Sequence, residues 1–222
     1  MSSNRCRVHV SHEKECGREV ARDAQCIFHL EEKTDEEAQQ FDRAFPGELE
    51  RLEKSEESEI DLTRFVFPGP LDVWRRTFSK SVVFEKATFS HGAHFDRAAF
   101  LGDARFDGVV FSGHAGFGWT TFSRDARFTG VTFSDGAFFE RAAFLGDARF
   151  DDVTFAKVIF RENVFRRILQ MSARFEGLAV FERVLFQRDT IESSDLCALL
   201  GPTLPEHVPF NFFQRCKCGT QR

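Results

Sequence analysis

The sequence predicts an all-β solenoid with appendages at both ends, on three observations. Phenylalanines recur alternately five and six residues apart: Phe78, Phe84, Phe89, Phe95, Phe100, Phe106, Phe111, Phe117, Phe122, Phe128, Phe133, Phe139, Phe144, Phe150 and Phe155. The period of eleven sharpens at twenty-two, where Leu-Gly-Asp-Ala-Arg-Phe at 101–106 answers Ser-Arg-Asp-Ala-Arg-Phe at 123–128, and segment 97–107 is repeated unchanged at 141–151. Two positions before the Phe residues stand small or β-branched residues, among them Ala93, Ala98, Ala104, Val109, Ala115, Thr120, Ala126 and Val131. A short fixed period marks stacked units that bury a shared core.

An eleven-residue period could also belong to a hendecad helix. At about 100° per residue, however, steps of five and six scatter the Phe side chains over separate faces, where an amphipathic helix needs one stripe. Gly92, Gly102, Gly108 and Gly113 would each cost that helix about 1 kcal/mol relative to Ala. In short strands the two-residue spacing puts both members of each Ala-x-Phe pair inside, while Arg105, Asp107, Ser112, Arg127 and Arg149 face water. Phe117 is then expected in a core stack with Phe95 and Phe139, one coil away on either side, and Phe138 is expected to face out. The 29 Phe and absence of Tyr fit an enclosed stack, where a phenol would need a hydrogen-bond partner.

At these residues the chain resembles the pentapeptide-repeat family, whose unit carries a small residue two positions before a central Leu or Phe. The resemblance covers roughly 65–186 and implies a right-handed quadrilateral β-helix with four units per coil, here about twenty-two residues because alternate units gain a sixth residue. This chain departs from the family in its uniform Phe centres and in placing Arg105, Thr121, Arg127, Thr132 and Arg149 where Asp or Asn is frequent.

Residues 1–30 carry the recognisable site chemistry. Cys6, Cys16 and Cys26 are spaced ten apart, and His29 closes a Cys-Ile-Phe-His step. Three thiolates and an imidazole can fill a closed, structural tetrahedral Zn2+ site, with His9 and His12 as substitutes. Similar N-terminal segments precede some pentapeptide-repeat proteins. Absence of an export signal speaks against disulfides.

Residues 31–60 read as an acidic helical linker, and 31–62 hold thirteen acidic and four basic residues. Thr34 and Glu37 form a capping box for a helix expected to end near Phe45, before Pro46, with a second helix from Glu48. The solenoid is expected over 61–188, its first coil and cap beginning at 61–70. Residues 189–222 read as a C-terminal cap or irregular tail; Cys197, His207, Cys216 and Cys218 there are read as unpaired, with a second metal site as the alternative.

The sixth residues fall at Ser81, Gly92, Asp103, His114, Asp125, Gly136 and Asp147, so Asp103, Asp125 and Asp147 are expected to stack along one corner. These carboxylates are expected to cap corner N–H groups beside a screening column of Arg105, Arg127 and Arg149; a row of cation sites is the alternative.

Catalytic signals are weak. The glycines are solenoid corners, no phosphate loop appears, and His91, His94 and His114 fall at outward or corner positions. The expected function is non-enzymatic: a protein-interaction or scaffold module with an unidentified protein partner, and end-to-end homodimers are conceivable. The alternative is a DNA mimic protecting a type II topoisomerase, an activity the resemblance implies. Mimicry requires a regular acidic rod, yet 78–165 carries eleven acidic and ten basic residues. A zinc-finger nucleic-acid binder would need a basic helix that residues 1–30 lack, so nucleic acid is not an expected partner. No signal peptide and no apolar run long enough to span a bilayer occur, which predicts a cytoplasmic protein away from membranes.

Overall fold

A computed structural model describes residues 5–8, 15–23, 25–167 and 169–186. The first coil consists of β1 (Glu59–Asp61), β2 (Val66–Phe67), β3 (Leu71–Asp72) and β4 (Thr77–Phe78). Each founds one face of a four-sided parallel β-solenoid. On the β1 face Ile60 pairs through Val82, Ala104, Ala126 and Ala148 to Leu169. On the β2 face the column runs Phe67, Phe89, Phe111, Phe133, Phe155 and Phe175. The β3 face aligns Leu71, Ala93, Ala115, Ala137, Val158 and Ala179, and the β4 face Phe78, Phe100, Phe122, Phe144, Phe165 and Phe186.

The partners lie twenty-two residues apart until the register shifts between Phe133 and Gly136, after which Ala137 meets Val158 and the step falls to twenty-one; a second shift between Asp151 and Val153 brings Phe155 opposite Phe175, twenty residues on. Ala156-Lys157 lacks the extra corner residue, so Phe160 follows Phe155 by five. Met171 takes the place of a Phe one coil above Phe150.

The turn two residues after a central Leu62, Val73 or Phe imposes a left-handed backbone at eleven-residue intervals: Arg64, Arg75, Lys86, Arg97, Gly108, Trp119, Gly130, Arg141 and Asp152 all have positive φ. The Ala98 amide closes such a turn on the Phe95 carbonyl at 2.9 Å. Only two of these nine positions are Gly, so most corners accept a backbone region that side-chain-bearing residues enter at a cost. The opposite type of corner carries the sixth residue. At Gly146 a Cβ would lie 2.3 Å from the Arg124 carbonyl carbon, which explains Gly there.

The interior is filled by rings. Phe117 is fully buried and stacks on Phe95 at 4.9 Å and on Phe139 at 4.8 Å, while Phe106 and Phe128 meet it edge-on at 5.7 and 5.6 Å. Phe138 is half-buried on the outside, against Lys157 and the exposed His114.

The linker differs from expectation. One helix, α1 (Asp35–Lys54), runs through Pro46. Its N-terminus has the expected capping box from Thr34 and Glu37. Proline removes one backbone donor, but Phe41, Phe45, Leu49 and Leu52 form a continuous buried stripe across it. Phe41 and Phe45 pack edge-on against Phe67 at 5.4 and 5.1 Å. Lys80 closes the far end by donating to the Leu52 and Ser55 carbonyls. Thus α1 packs its apolar stripe against the first coil. Among the described residues no helix is long and apolar enough to cross a membrane.

Candidate metal centre

Two strand-like passes and a turn assemble an N-terminal knot. The Cys6 amide donates to the Arg18 carbonyl at 2.7 Å and the Cys16 amide to the Val8 carbonyl at 2.8 Å, which brings two cysteines side by side. The Cys26–His29 turn, closed by the His29 amide on the Cys26 carbonyl at 3.0 Å, presents the other two groups. One donor atom each from Cys6, Cys16, Cys26 and His29 lies within 4.8 Å of all the others, close enough to share one metal ion. His29 Nδ1 is 3.5 Å from Cys6 Sγ and 3.3 Å from Cys26 Sγ, and the Cys16 and Cys26 sulfurs are 3.7 Å apart. Cys6, Cys26 and His29 are buried and Cys16 is half-buried.

Surrounding groups orient this set. His29 Nε2 lies 3.1 Å from the Thr63 carbonyl; a proton donated there leaves the Nδ1 lone pair facing the sulfurs. Arg18 Nη1 donates to Cys16 Sγ at 3.0 Å while its other nitrogens hold Glu48 at 2.6 and 3.0 Å. The guanidinium also lies over the rings of Phe28 and Phe65. The Cys16 thiol is pulled down to about 3, chiefly by the hydrogen bond from Cys26, then by His29 and by the Arg18 backbone and charge, against burial. Cys26 moves up, because it holds the proton shared with Cys16, is buried and faces the charge on Cys16. A metal ion would replace that proton.

Arg18 and Thr63 were not foreseen as parts of the site. The Arg18 position two after Cys16 was visible in the chain, but its reach to Glu48 depends on α1; the Thr63 carbonyl is a backbone group with no sequence signature. His9, His12, Cys197, His207, Cys216 and Cys218 lie outside the described residues.

At the long corners, Asp125 Oδ1 accepts the Asp147 amide of the next coil at 2.9 Å, and Ser81 Oγ accepts the Asp103 amide at 3.1 Å. The side chain thus caps the N–H one coil on, and not a group in its own corner. Arg105, Arg127 and Arg149 do align coil on coil as expected, but Arg105 pairs with Glu59 and Arg127 with Asp107, each at 3.3 Å. Arg167 approaches Asp147 at 3.2 Å.

Comparison with known families places a model described as pentapeptide repeats, nine copies, on residues 117–162. No curated protein and no solved structure matches the chain.

Proposed function

We propose that the chain, whose residues 117–162 match pentapeptide repeats, acts as a non-enzymatic protein-interaction scaffold in the cytoplasm, its N-terminal knot holding a structural Zn2+. The observation that carries the scaffold reading is the division of the solenoid: buried stacked rings fill its interior, and sequence variety is confined to outward positions such as Arg97, Trp119, Arg127 and Glu140.

Zinc suits the donor set. Zn–S bonds of about 2.3 Å and Zn–N bonds of about 2.0 Å imply tetrahedral edges of about 3.8 Å between sulfurs and about 3.5 Å from sulfur to nitrogen. The Cys16–Cys26 separation of 3.7 Å and the Cys6–His29 separation of 3.5 Å match both. Four protein donors leave no position for a reacting water, so the ion's role is to hold the knot against the first coil. A reducing compartment keeps such thiols free for metal. Topoisomerase protection by DNA mimicry is disfavoured by the near balance of charge along 78–165.

The test is capture of a defined protein by the immobilised intact chain, compared with Arg127→Glu/Arg149→Glu on one outer face and with Cys16→Ser in the knot. Loss in one variant, with folding retained, assigns binding to the face or to the knot. Failure to retain any protein, together with stoichiometric protection of a type II topoisomerase, would replace the scaffold reading with the mimic.

A further inference from the structure

The chain's two tryptophans are both exposed, Trp74 at 55% and Trp119 at 51%, although the Phe columns beside them are buried. Both lie along the corner between the β3 and β4 faces, where successive coils place Arg75, Arg97, Trp119 and Arg141 at the left-handed turn position. Coils about 4.8 Å apart line these four up over about 14 Å. The Arg75 guanidinium lies 4.8 Å from the centre of the Trp74 ring; those of Arg97 and Arg141 lie 5.6 and 4.6 Å from that of Trp119. Among the described residues no carboxylate pairs with Arg75 or Arg97, while Arg141 shares Glu162 with Arg183.

Nothing in the fold asks for tryptophan at this corner. Trp119 adopts φ +58°, a region that bulky residues occupy at a cost, and Gly130 fills the equivalent turn on the opposite corner at φ +67°. Arg75, Arg97 and Arg141 hold the same left-handed backbone in the neighbouring coils, so the turn itself does not select the large ring.

We propose that the ridge of Trp74, Arg75, Arg97, Trp119 and Arg141 docks an extended acidic peptide segment of a protein partner. The proposal rests on the protein-interaction reading above and names the chemistry of its partner. Rings already hold the guanidiniums in place, so less side-chain freedom is lost when carboxylates engage them. Arg offers bidentate geometry to each carboxylate, and Trp and Arg are the residues that dominate interface energetics. Single-stranded nucleic acid would need a free ring face for base stacking. Trp119 already has two guanidiniums beside its ring, Arg97 from the coil before it and Arg141 from the coil after it.

With no Tyr and both Trp on the ridge, tryptophan emission reports on this corner alone. Titrating the full chain with deca-glutamate at low salt should change that emission saturably. The response should weaken about tenfold in Arg75→Gln/Arg97→Gln, which keeps both tryptophans, and persist in Arg127→Gln/Arg149→Gln on the β1 face. Circular dichroism should show both variants folded. Absence of a response, an equal response in Arg75→Gln/Arg97→Gln, or tighter binding of decathymidylate than of deca-glutamate overturns the proposal. If deca-glutamate fails while the immobilised chain still retains a protein, the ridge assignment falls and the scaffold reading stands.

Discussion

The Val66 amide donates to the Phe28 carbonyl at 2.8 Å, and in the coils that follow the same bond joins Thr88 to Phe65 at 2.8 Å and Val110 to Ala87 at 3.0 Å. The N-terminal knot therefore stands where a preceding coil would be. Its Phe28 ring continues the stacking by lying 4.9 Å from Phe65, and His29 of the same turn belongs to the cluster of three cysteines and one histidine that could hold a metal ion. A bare end coil would expose backbone groups and apolar core; here the knot and α1 cover it.

The ring columns make a sharp distinction between neighbouring residues. Phe117→Ala should cost about 3–5 kcal/mol by leaving a cavity between Phe95 and Phe139. Phe138→Ala, at an outer position beside the inward Phe139, should cost far less. Denaturant unfolding measures both, and comparable losses would contradict the inward and outward assignment.

Capping from coil to coil separates shape from charge at Asp125. Asp125→Asn retains an acceptor for the Asp147 amide and should leave stability nearly unchanged. Asp125→Ala orphans that amide and should cost about 1 kcal/mol. Melting that depends on calcium in wild type but not in Asp125→Asn would instead identify the Asp column as cation sites.

Trp119→Gly removes a side chain from a left-handed backbone position at which it is half in solvent. The melting temperature should stay level or rise, since Gly enters that region without the penalty of about 1–2 kcal/mol. A marked fall would mean that Trp119 serves the fold through its contacts with Arg97 and Arg141.

Lys33 gives a pH signature. Burial between the Leu30 and Val66 carbonyls holds its ammonium down at about 8, against 10.5 for the free group. Between those values the unfolded chain keeps a proton that the folded chain has released, so stability relative to Lys33→Met should rise with pH across this window. Denaturation midpoints at pH 7 and pH 10 check the sign; a gap that moves against wild type at pH 10 would contradict it.

The parts legible in the sequence were those carried by repetition. The Phe period and the small residue two positions earlier were enough to place Phe95, Phe117 and Phe139 in one column, because side chains alternate strictly along a strand. Cys6, Cys16, Cys26 and His29 were legible as a donor set from their chemistry and from the resemblance to similar N-terminal segments, and the fold brings the four together. Pro46 misled because a local rule about helix ends was weighed without the buried stripe from Phe41 to Leu52 that spans it. The Arg105 and Arg127 partners, the Thr63 carbonyl on His29 and the clasp on Trp119 all depend on residues brought together from distant parts of the chain. The left-handed turn position had no compositional mark, since Arg, Lys, Asp, Trp and Gly all occupy it.

The most direct test of the metal-held cap is the zinc content of the purified full chain, measured together with hydrogen exchange at the Val66 amide. About one tightly held zinc per chain is expected, lost in Cys16→Ser, with Val66 protection falling while the Phe117 amide stays protected because the ring columns beyond the first coil are intact. Equal zinc in wild type and Cys16→Ser, or unchanged Val66 protection after the metal is stripped, would contradict a knot that closes the solenoid through Phe28 and His29.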